Sequence, residues 1–350
     1  MSEEKFLEML EKELSLLKED ERKDIIRDFQ EYFANGIAEG KKVEEIVESF
    51  GPIHDLATEL LAAYSDEEFV SHVEMNPSVE TNFDIVDVKA DKANITIIPS
   101  ENDLPAIDVK DQDGKTKATM EVINNTLKIR VKREDGIKKF FFIHFTLSGL
   151  ASVDVTVQLP QKLYEQLRVV NDSGKIEIKS QQAKQMSFET DNGKIVMKSL
   201  LASVLKAKSD NGRIVLNNSN FTDVIASTDN GRICVTHSRA EKFELSTDNG
   251  RIELNEVDGE IWATTDNGRI EGYIPQVTKP LQWKTDNGSI TLKTDKMLDD
   301  VTLSAKSDFG RISVYGEKGK KFQFGDGSIP VRFKTDNGRI TVSTAALQEA

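Results

Sequence analysis

The chain has a single cysteine, Cys234, in 350 residues, so no intrachain disulfide can brace it. That fits a reducing compartment. Histidine is also scarce. His54, His72, His144 and His237 fall in separate segments, a spacing that points to neither a metal site nor a catalytic triad. There is no long hydrophobic run. The main apolar cluster lies around Phe140–Phe145, is broken by His144, and is far short of the ~20 residues a spanning helix needs. The opening MSEEKFLEMLEKEL lacks a basic stretch followed by an apolar one, so no secretory leader is expected. No lipidation or anchor signal closes the chain. Positive charge is in deficit, with 46 Lys and Arg against 60 Asp and Glu and a net charge of −14. A polyanion is repelled by such a chain, which argues against nucleic acid and anionic membranes as non-specific partners. Together these absences predict a cytoplasmic protein, with the cell surface as the alternative, because a repeat fold can live outside a cell without disulfides.

What remains is globular in composition, 38% apolar and 30% charged, and long enough for two or three domains. Residues 1–64 read as a small all-α domain. Phe6, Leu7, Leu10, Leu14 and Leu17 recur at helical spacing, as do Ile25, Ile26, Phe29, Tyr32 and Phe33. Asp20 is a plausible N-cap for the second helix, and Gly36 and Gly40 end it. A third helix covers Val43–Phe50 and stops at Gly51; Pro52 suits the first turn of a fourth, through Leu56, Leu60 and Leu61. Residues 1–65 hold 8 Lys and Arg against 17 Asp and Glu, so most of the net charge sits here, either as a solvated surface or as a docking face. Residues 65–80 are acidic, polar and weakly periodic, and read as a linker.

The head carries a resemblance. Phe6-Leu7 with Leu10, Leu14 and Leu17, then Asp28-Phe29-Gln30-Glu31-Tyr32-Phe33, Gly40-Lys41, Glu44-Glu45-Ile46 and Ser49-Phe50-Gly51-Pro52 resemble the HAAS signalling domain over nearly all of residues 4–62. That family occurs at the N-terminus of proteins from low-GC Gram-positive bacteria, often encoded beside a PadR-type regulator and often fused to membrane segments. The resemblance implies a protein partner, a regulator or a membrane protein, docked through the head.

Residues 81–350 are dominated by a period. Turn glycines fall at 174, 193, 212, 231, 250, 268, 288, 310 and 338; the first four intervals are 19, and the next are 18, 20, 22 and 28, read as insertions growing toward the C-terminus. Isoleucine follows each glycine by two residues, from Ile176 to Ile340. Four residues after the glycine comes another apolar residue except at Gly272, and apolar columns also lie seven and five residues before it. Such parity marks strands with one face buried. The turns read Asp191-Asn192-Gly193, Asp229-Asn230-Gly231, Asp248-Asn249-Gly250 and so on, an Asn-Gly signal for φ > 0 at both central positions, with the Asp carboxylate available to turn N–H groups. Two architectures satisfy these columns: an antiparallel meander of hairpins, or a parallel coil per repeat. Identity in so many columns favours the coil, because in-register stacking packs each residue on its own copy. The expectation is a right-handed parallel β-solenoid of about nine regular ~19-residue coils, roughly 40 Å long, with its open ends capped. Residues 81–165 would supply irregular coils or a cap, with strand-like runs at Asn94–Ile98, Leu127–Val131, Phe140–Leu147 and Val153–Leu159.

Here too there is a resemblance. Ile95-Thr96-Ile97, Val153 to Pro160, Leu167-Arg168-Val169, Ser173 to Ile178 and the repeated Thr-Asp-Asn-Gly-Arg-Ile resemble the bacterial "putative adhesin" family over most of residues 81–345. That family is β-helical, of unknown function, and related to proteins of the Lia cell-envelope stress response.

The sharpest chemical feature is a basic column after the turn glycine: Lys175, Lys194, Arg213, Arg232, Arg251, Arg269, Arg311 and Arg339, broken by Ser289. Alternating with the Asp column, it reads as a neutralising charge ladder. Alternatively, Arg213, Arg232, Arg251 and Arg269 form a linear surface for an anionic polymer or a carbohydrate. The spacing lacks the glycine-rich nonapeptide of calcium β-rolls. Evenly repeated carboxylates do not resemble the local cluster that glycan cleavage needs, and Cys234 has no local base. No cofactor is implied. Ile225 and Trp262 point outward by parity and form a candidate apolar patch. The sequence therefore reads as a non-enzymatic scaffold or sensor linked to envelope stress, with a surface adhesin as the alternative; the oligomeric state stays open.

Overall fold

The computed structural model describes residues 1–14, 19–38, 40–61, 73–75, 82–111, 116–133 and 153–345. Leu17, His72, His144 and the strand-like run Phe140–Leu147 lie outside the described residues. The chain forms two compact units, Met1–His72 and Val73–Ala350. No helix among the described residues is long and apolar enough to cross a membrane.

The first unit holds helices α1 (Glu3–Glu13), α2 (Glu19–Ala38), α3 (Val43–Ser49) and α4 (Ile53–Leu61). The Ser2 hydroxyl accepts the Lys5 N–H and starts α1, with Glu3 and Glu4 in the first turn where the helix dipole favours acid. Asp20 lies inside α2 rather than at its N-cap. Phe6, Leu10, Phe33 and Ile46 are buried, and the Phe6 ring stacks on Phe50 with centroids 5.3 Å apart. Gly36 does not end α2 as the sequence implied. It sits within the helix, where a Cβ would come within 2.7 Å of Ile46 Cδ1, so its bareness admits α3. Gly40 (φ +88°) and Gly51 (φ +73°) make the turns, in a left-handed conformation that glycine adopts without strain.

The second unit is the parallel coil, not the meander. In each regular coil a long strand leads into the turn and a short strand leaves it. Long strands pair with long strands and short with short, in parallel and in register: Leu205 on Val224, Ala207 on Ala226, Ile195 on Ile214 and Ile214 on Ile233. The apolar columns fill the interior, with Ile176, Ile195, Ile214, Ile233, Ile252, Ile270 and Ile290 all at most 1% exposed. Fully burying such a side chain contributes about 1.5–3 kcal/mol. Gly272 breaks its column for a packing reason: a Cβ there would overlap the Trp283 ring of the next coil. The 18-residue interval is absorbed by a register shift between Arg239 and Lys242.

The order of coils differs from the order of the sequence at both ends. The wide C-terminal spacings are not growing insertions. The last coil, Ile329–Thr335 with Ile340–Thr344, stacks directly on Leu281–Thr285 and Ile290–Thr294; the preceding one, Val301–Ser307 with Ile312–Val314, lies outside it. At the other end the strand Ile85–Pro99 bends through both halves of a coil. It lies between Leu163–Lys179 on one side and Thr126–Arg133 with Val153–Leu159 on the other. Antiparallel strands then cover outermost strands: Thr116–Ile123 and Ala106–Lys110 at this end, Lys321–Phe324 at the other. They pair the edges of the parallel stack that would otherwise be open. Within the predicted linker, residues 73–75 form a short strand paired with Thr116–Ile123.

Candidate functional site

Three surfaces were candidates from sequence: the turn, the arginine row and the outward apolar pair. The turn residues Asp191-Asn192-Gly193, Asp229-Asn230-Gly231 and Asp248-Asn249-Gly250 stack on one another at the first corner of the coil. Their asparagines form an amide ladder: Asn211 Nδ2 donates to Asn192 Oδ1 at 2.8 Å, Asn230 to Asn211 at 2.9 Å and Asn249 to Asn230 at 2.9 Å. The expected left-handed Asn-Gly pair is absent. Among the turn glycines only Gly174 has positive φ, at +118°. Glycine is required for another reason: a Cβ on Gly193, Gly212, Gly231 or Gly250 would overlap the carbonyl oxygen of the turn glycine one coil earlier. Nor does the Asp carboxylate take the turn N–H. The hydroxyl one residue earlier does so. Thr228 Oγ1 accepts Gly231 N–H at 3.1 Å and donates to Gly212 O at 3.0 Å, and Thr247 repeats both bonds with Gly250 and Gly231 at the same distances. This corner is therefore structural, its asparagines bonding their own copies and the hydroxyls of Thr228 and Thr247 bonding the turn backbone.

The arginines do not neutralise the aspartates. Arg232 pairs with Glu253 at 3.1 Å, Arg251 with the same carboxylate at 3.5 Å, and Arg269 with Glu271 at 3.0 Å. Where a lysine stands two residues earlier the aspartate pairs with it, as in Lys208–Asp210 at 3.4 Å and Lys284–Asp286 at 3.1 Å; Asp191, Asp229 and Asp248 have no lysine at that position. Arg213 is exposed and makes no ion pair among the described residues. One carboxylate on this face is covered: Glu177, side chain 8% exposed, is capped by Lys175, Lys179 and Lys198. Burial alone would raise its pKa, but hydrogen bonds from the three lysines outweigh it and hold the group down at about 2. Cys234 is half-buried with Sγ 3.3 Å from Glu253 Oε2; burial and that carboxylate push the thiol up to about 11, so it is not a thiolate at neutral pH.

Trp262 lies on the outer side of a long strand, away from the arginines on the short-strand side. Its ring carries Lys242 Nζ at 3.8 Å from the centroid, and its Nε1 donates to Glu260 at 2.7 Å. Glu244 separates it from Ile225 in the stack, because Ile225 pairs with Glu244 and Glu244 with Trp262. The two outward residues thus make no contiguous apolar patch. Among the described residues no group of three or more His, Cys, Asp and Glu is placed to hold a metal.

The second corner, where the short strand turns into the next long one, was missed from sequence. Six residues after the turn glycine the backbone is left-handed in five successive coils, at Ser180, Ser199, Asn218, His237 and Glu256, with φ from +45° to +55°. This kink exposes that row and the row two residues on, Gln182, Leu201, Asn220, Arg239 and Asp258, around a buried floor that includes Gln181, Leu200, Ser219 and Ser238. The result is a groove of about 750 Å³ running along the stack. Its floor is fixed by hydroxyls: Ser219 Oγ accepts Leu200 N–H at 3.0 Å and donates to Asn217 O at 2.8 Å, and Ser238 Oγ donates to Thr236 O at 2.8 Å. The available signal was a 19-residue recurrence of polar residues rather than apolar ones, with one incidental-looking histidine, His237, among them.

A family model described as Toastrack DUF4097 matches residues 83–344, and the HAAS model matches residues 5–59. No curated protein matches the chain. Among solved structures, it is similar to one titled a putative adhesin from Bacteroides fragilis NCTC 9343, with 14% identity, 76% of this chain and 93% of that one covered, and a TM-score of 0.38. Another, titled a putative cell adhesion protein from Clostridium sporogenes ATCC 15579, gives 12% identity, 76% and 96% coverage, and a TM-score of 0.22.

Proposed function

This chain belongs to the Toastrack DUF4097 family and carries a HAAS domain ahead of it, and on that premise we propose that it is a non-enzymatic binding scaffold or sensor linked to bacterial envelope stress. The HAAS head docks a protein partner, and the solenoid presents a repeated polar surface. The observation that carries this reading is the division of labour between the two corners. The first corner uses its polar groups internally, through the amide ladder and the threonine bonds. The second leaves rows of side chains directed outward from a rigid stack. Such an arrangement positions many weak contacts along one axis.

On the head, Met9, Tyr32 and Ile37 are exposed apolar residues, at 43%, 52% and 47%. They give docking a handle on the surface, Met9 and Ile37 outside the buried cluster and Tyr32 with its ring tilted on Phe50 at 5.1 Å. The test is affinity capture from a bacterial lysate with the full chain and with a Met9→Asp, Tyr32→Asp, Ile37→Asp variant. The expected outcome is a partner held by the former and lost by the latter with unchanged helix content. Equal capture by both would remove head docking from the function.

A further inference from the structure

The geometry points to the second-corner groove as a binding site for an extended, uncharged oligosaccharide, lying along the stack with about one sugar unit per coil. This inference rests on the reading of the solenoid as a binding surface. It concerns the groove alone, so it can fail while head docking stands.

Size and shape come first. The groove spans five coils, from Ser180 to Glu256, which is about 19 Å at the ~4.8 Å spacing of paired strands. That rise is close to the length of one pyranose unit in an extended glycan, so each ring would face one coil, and in a β-1,4-linked chain, whose alternate rings are flipped, equivalent hydroxyls would recur at every second coil. A volume of about 750 Å³ is within the range of ligand sites.

Charge comes second. The lysine and the arginine of the lining each have a carboxylate partner: Lys162 lies 3.5 Å from Asp84 and donates to Phe83 O, and Arg239 pairs with Asp258 at 2.8 Å, while His237 Nε2 lies 3.3 Å from Glu256 Oε1. An anionic or cationic polymer would have to break these pairs, whereas a neutral one would not. The arginine row is a separate surface on the short strands and is not part of this site.

Unused hydrogen-bonding capacity comes third. Gln161, Gln182 and Asn220 line the groove, are exposed, and make no side-chain hydrogen bond among the described residues. Each amide offers two donors and an acceptor, the mixture that sugar hydroxyls match. Leu201, 46% exposed between Gln182 and Asn220, supplies an apolar contact for a ring face. Because the floor is held by the serine bonds and the strand ladders, binding needs little ordering of the protein.

The test is calorimetric titration of the full chain with three hexasaccharides: β-1,4-linked glucose, its N-acetylglucosamine counterpart and hexagalacturonate. Binding of at least one neutral hexamer is expected, tightening with chain length up to about five units. Gln182→Ala with Asn220→Ala should weaken it by about thirtyfold, and each single variant by about fivefold, as expected for the loss of two and of one hydrogen bond to the ligand. Both residues are exposed, so folding is not at stake, and each single variant gives an independent reading. The inference is overturned if neither neutral hexamer binds, if binding ignores both substitutions, if the anionic hexamer binds better than the neutral ones, or if an extended peptide displaces the sugar.

Discussion

Replacing Thr228 by valine isolates the bond that joins one coil to the next. Valine keeps the shape and β-branching of threonine and removes only the hydroxyl. In the native corner that hydroxyl accepts Gly231 N–H at 3.1 Å and donates to Gly212 O at 3.0 Å. Gly231 is buried, so its N–H has no water to turn to. Each lost bond is worth about 1 kcal/mol net, and leaving a buried donor unsatisfied costs about 1–3 kcal/mol. The expected loss is therefore about 2–4 kcal/mol. Thr228→Ser keeps the hydroxyl and loses one methyl group, about 0.8 kcal/mol. Ser209 shows that serine performs the same task, accepting Gly212 N–H and donating to Gly193 O at 2.9 Å each. Denaturant melts give the overall loss. Amide exchange at Gly231 gives the local one, which matters because a stack can open coil by coil. If the valine variant is as stable as the parent and Gly231 exchanges no faster, the hydroxyl bridge does not hold the coils together.

Three further outcomes follow from packing, charge and backbone. Gly272→Leu should destabilise by about 1–3 kcal/mol through overlap with Trp283, and Trp283→Ala by about 3–5 kcal/mol. Combined, they should cost less than their sum by about 0.5–3 kcal/mol, read from a denaturation double-mutant cycle; strict additivity would refute the shared-space argument. For Glu177 the folded pKa is depressed to about 2, so its contribution is present above the ordinary glutamate range and lost as pH falls toward 2. Glu177→Gln should lower stability at neutral pH and flatten that acid limb; an unchanged acid profile would contradict the lysine cage. Ser180→Gly, at φ +52° with no side-chain hydrogen bond among the described residues, should raise the melting midpoint by the equivalent of about 1 kcal/mol, since glycine tolerates this backbone. A lower midpoint would show that the serine side chain stabilises the corner.

The period and parity of the sequence were enough to give the parallel coil and its interior, because in-register stacking writes the same demand into every copy. Ile176 through Ile340 read as one column and are one column. What the period could not give is which coil neighbours which. Ile312 and Ile340 satisfy the same column equally, so nothing local reveals that the later coil stacks inside the earlier one. The Asn-Gly turns were recognised as turns but for the wrong reason. The φ argument is local, whereas the true constraint on glycine is a carbonyl one coil, and usually nineteen residues, away. Likewise the arginines were legible as a row, but not their glutamate partners, because Glu253 and Glu271 occupy a column that elsewhere holds Val196, Val215 and Cys234.

The contrast between the two corners explains why recognition would be written in one and not the other. At the first corner the polar groups are tied to the neighbouring coils: Asn230 bonds its copies Asn211 and Asn249, and Thr228 donates to Gly212 O. A change there breaks two contacts in a rigid ladder, so the copies stay alike. At the second corner the stack demands only a left-handed kink and a buried floor. The outward row can then be serine, asparagine, histidine or glutamate without disturbing the coils. A non-glycine residue in that conformation carries about 1–2 kcal/mol of strain, and five successive coils carry it. Glycine would relieve the strain and erase the side chains. Keeping side chains at that cost, in a column where stacking leaves the residue type open, is what function would require of this corner.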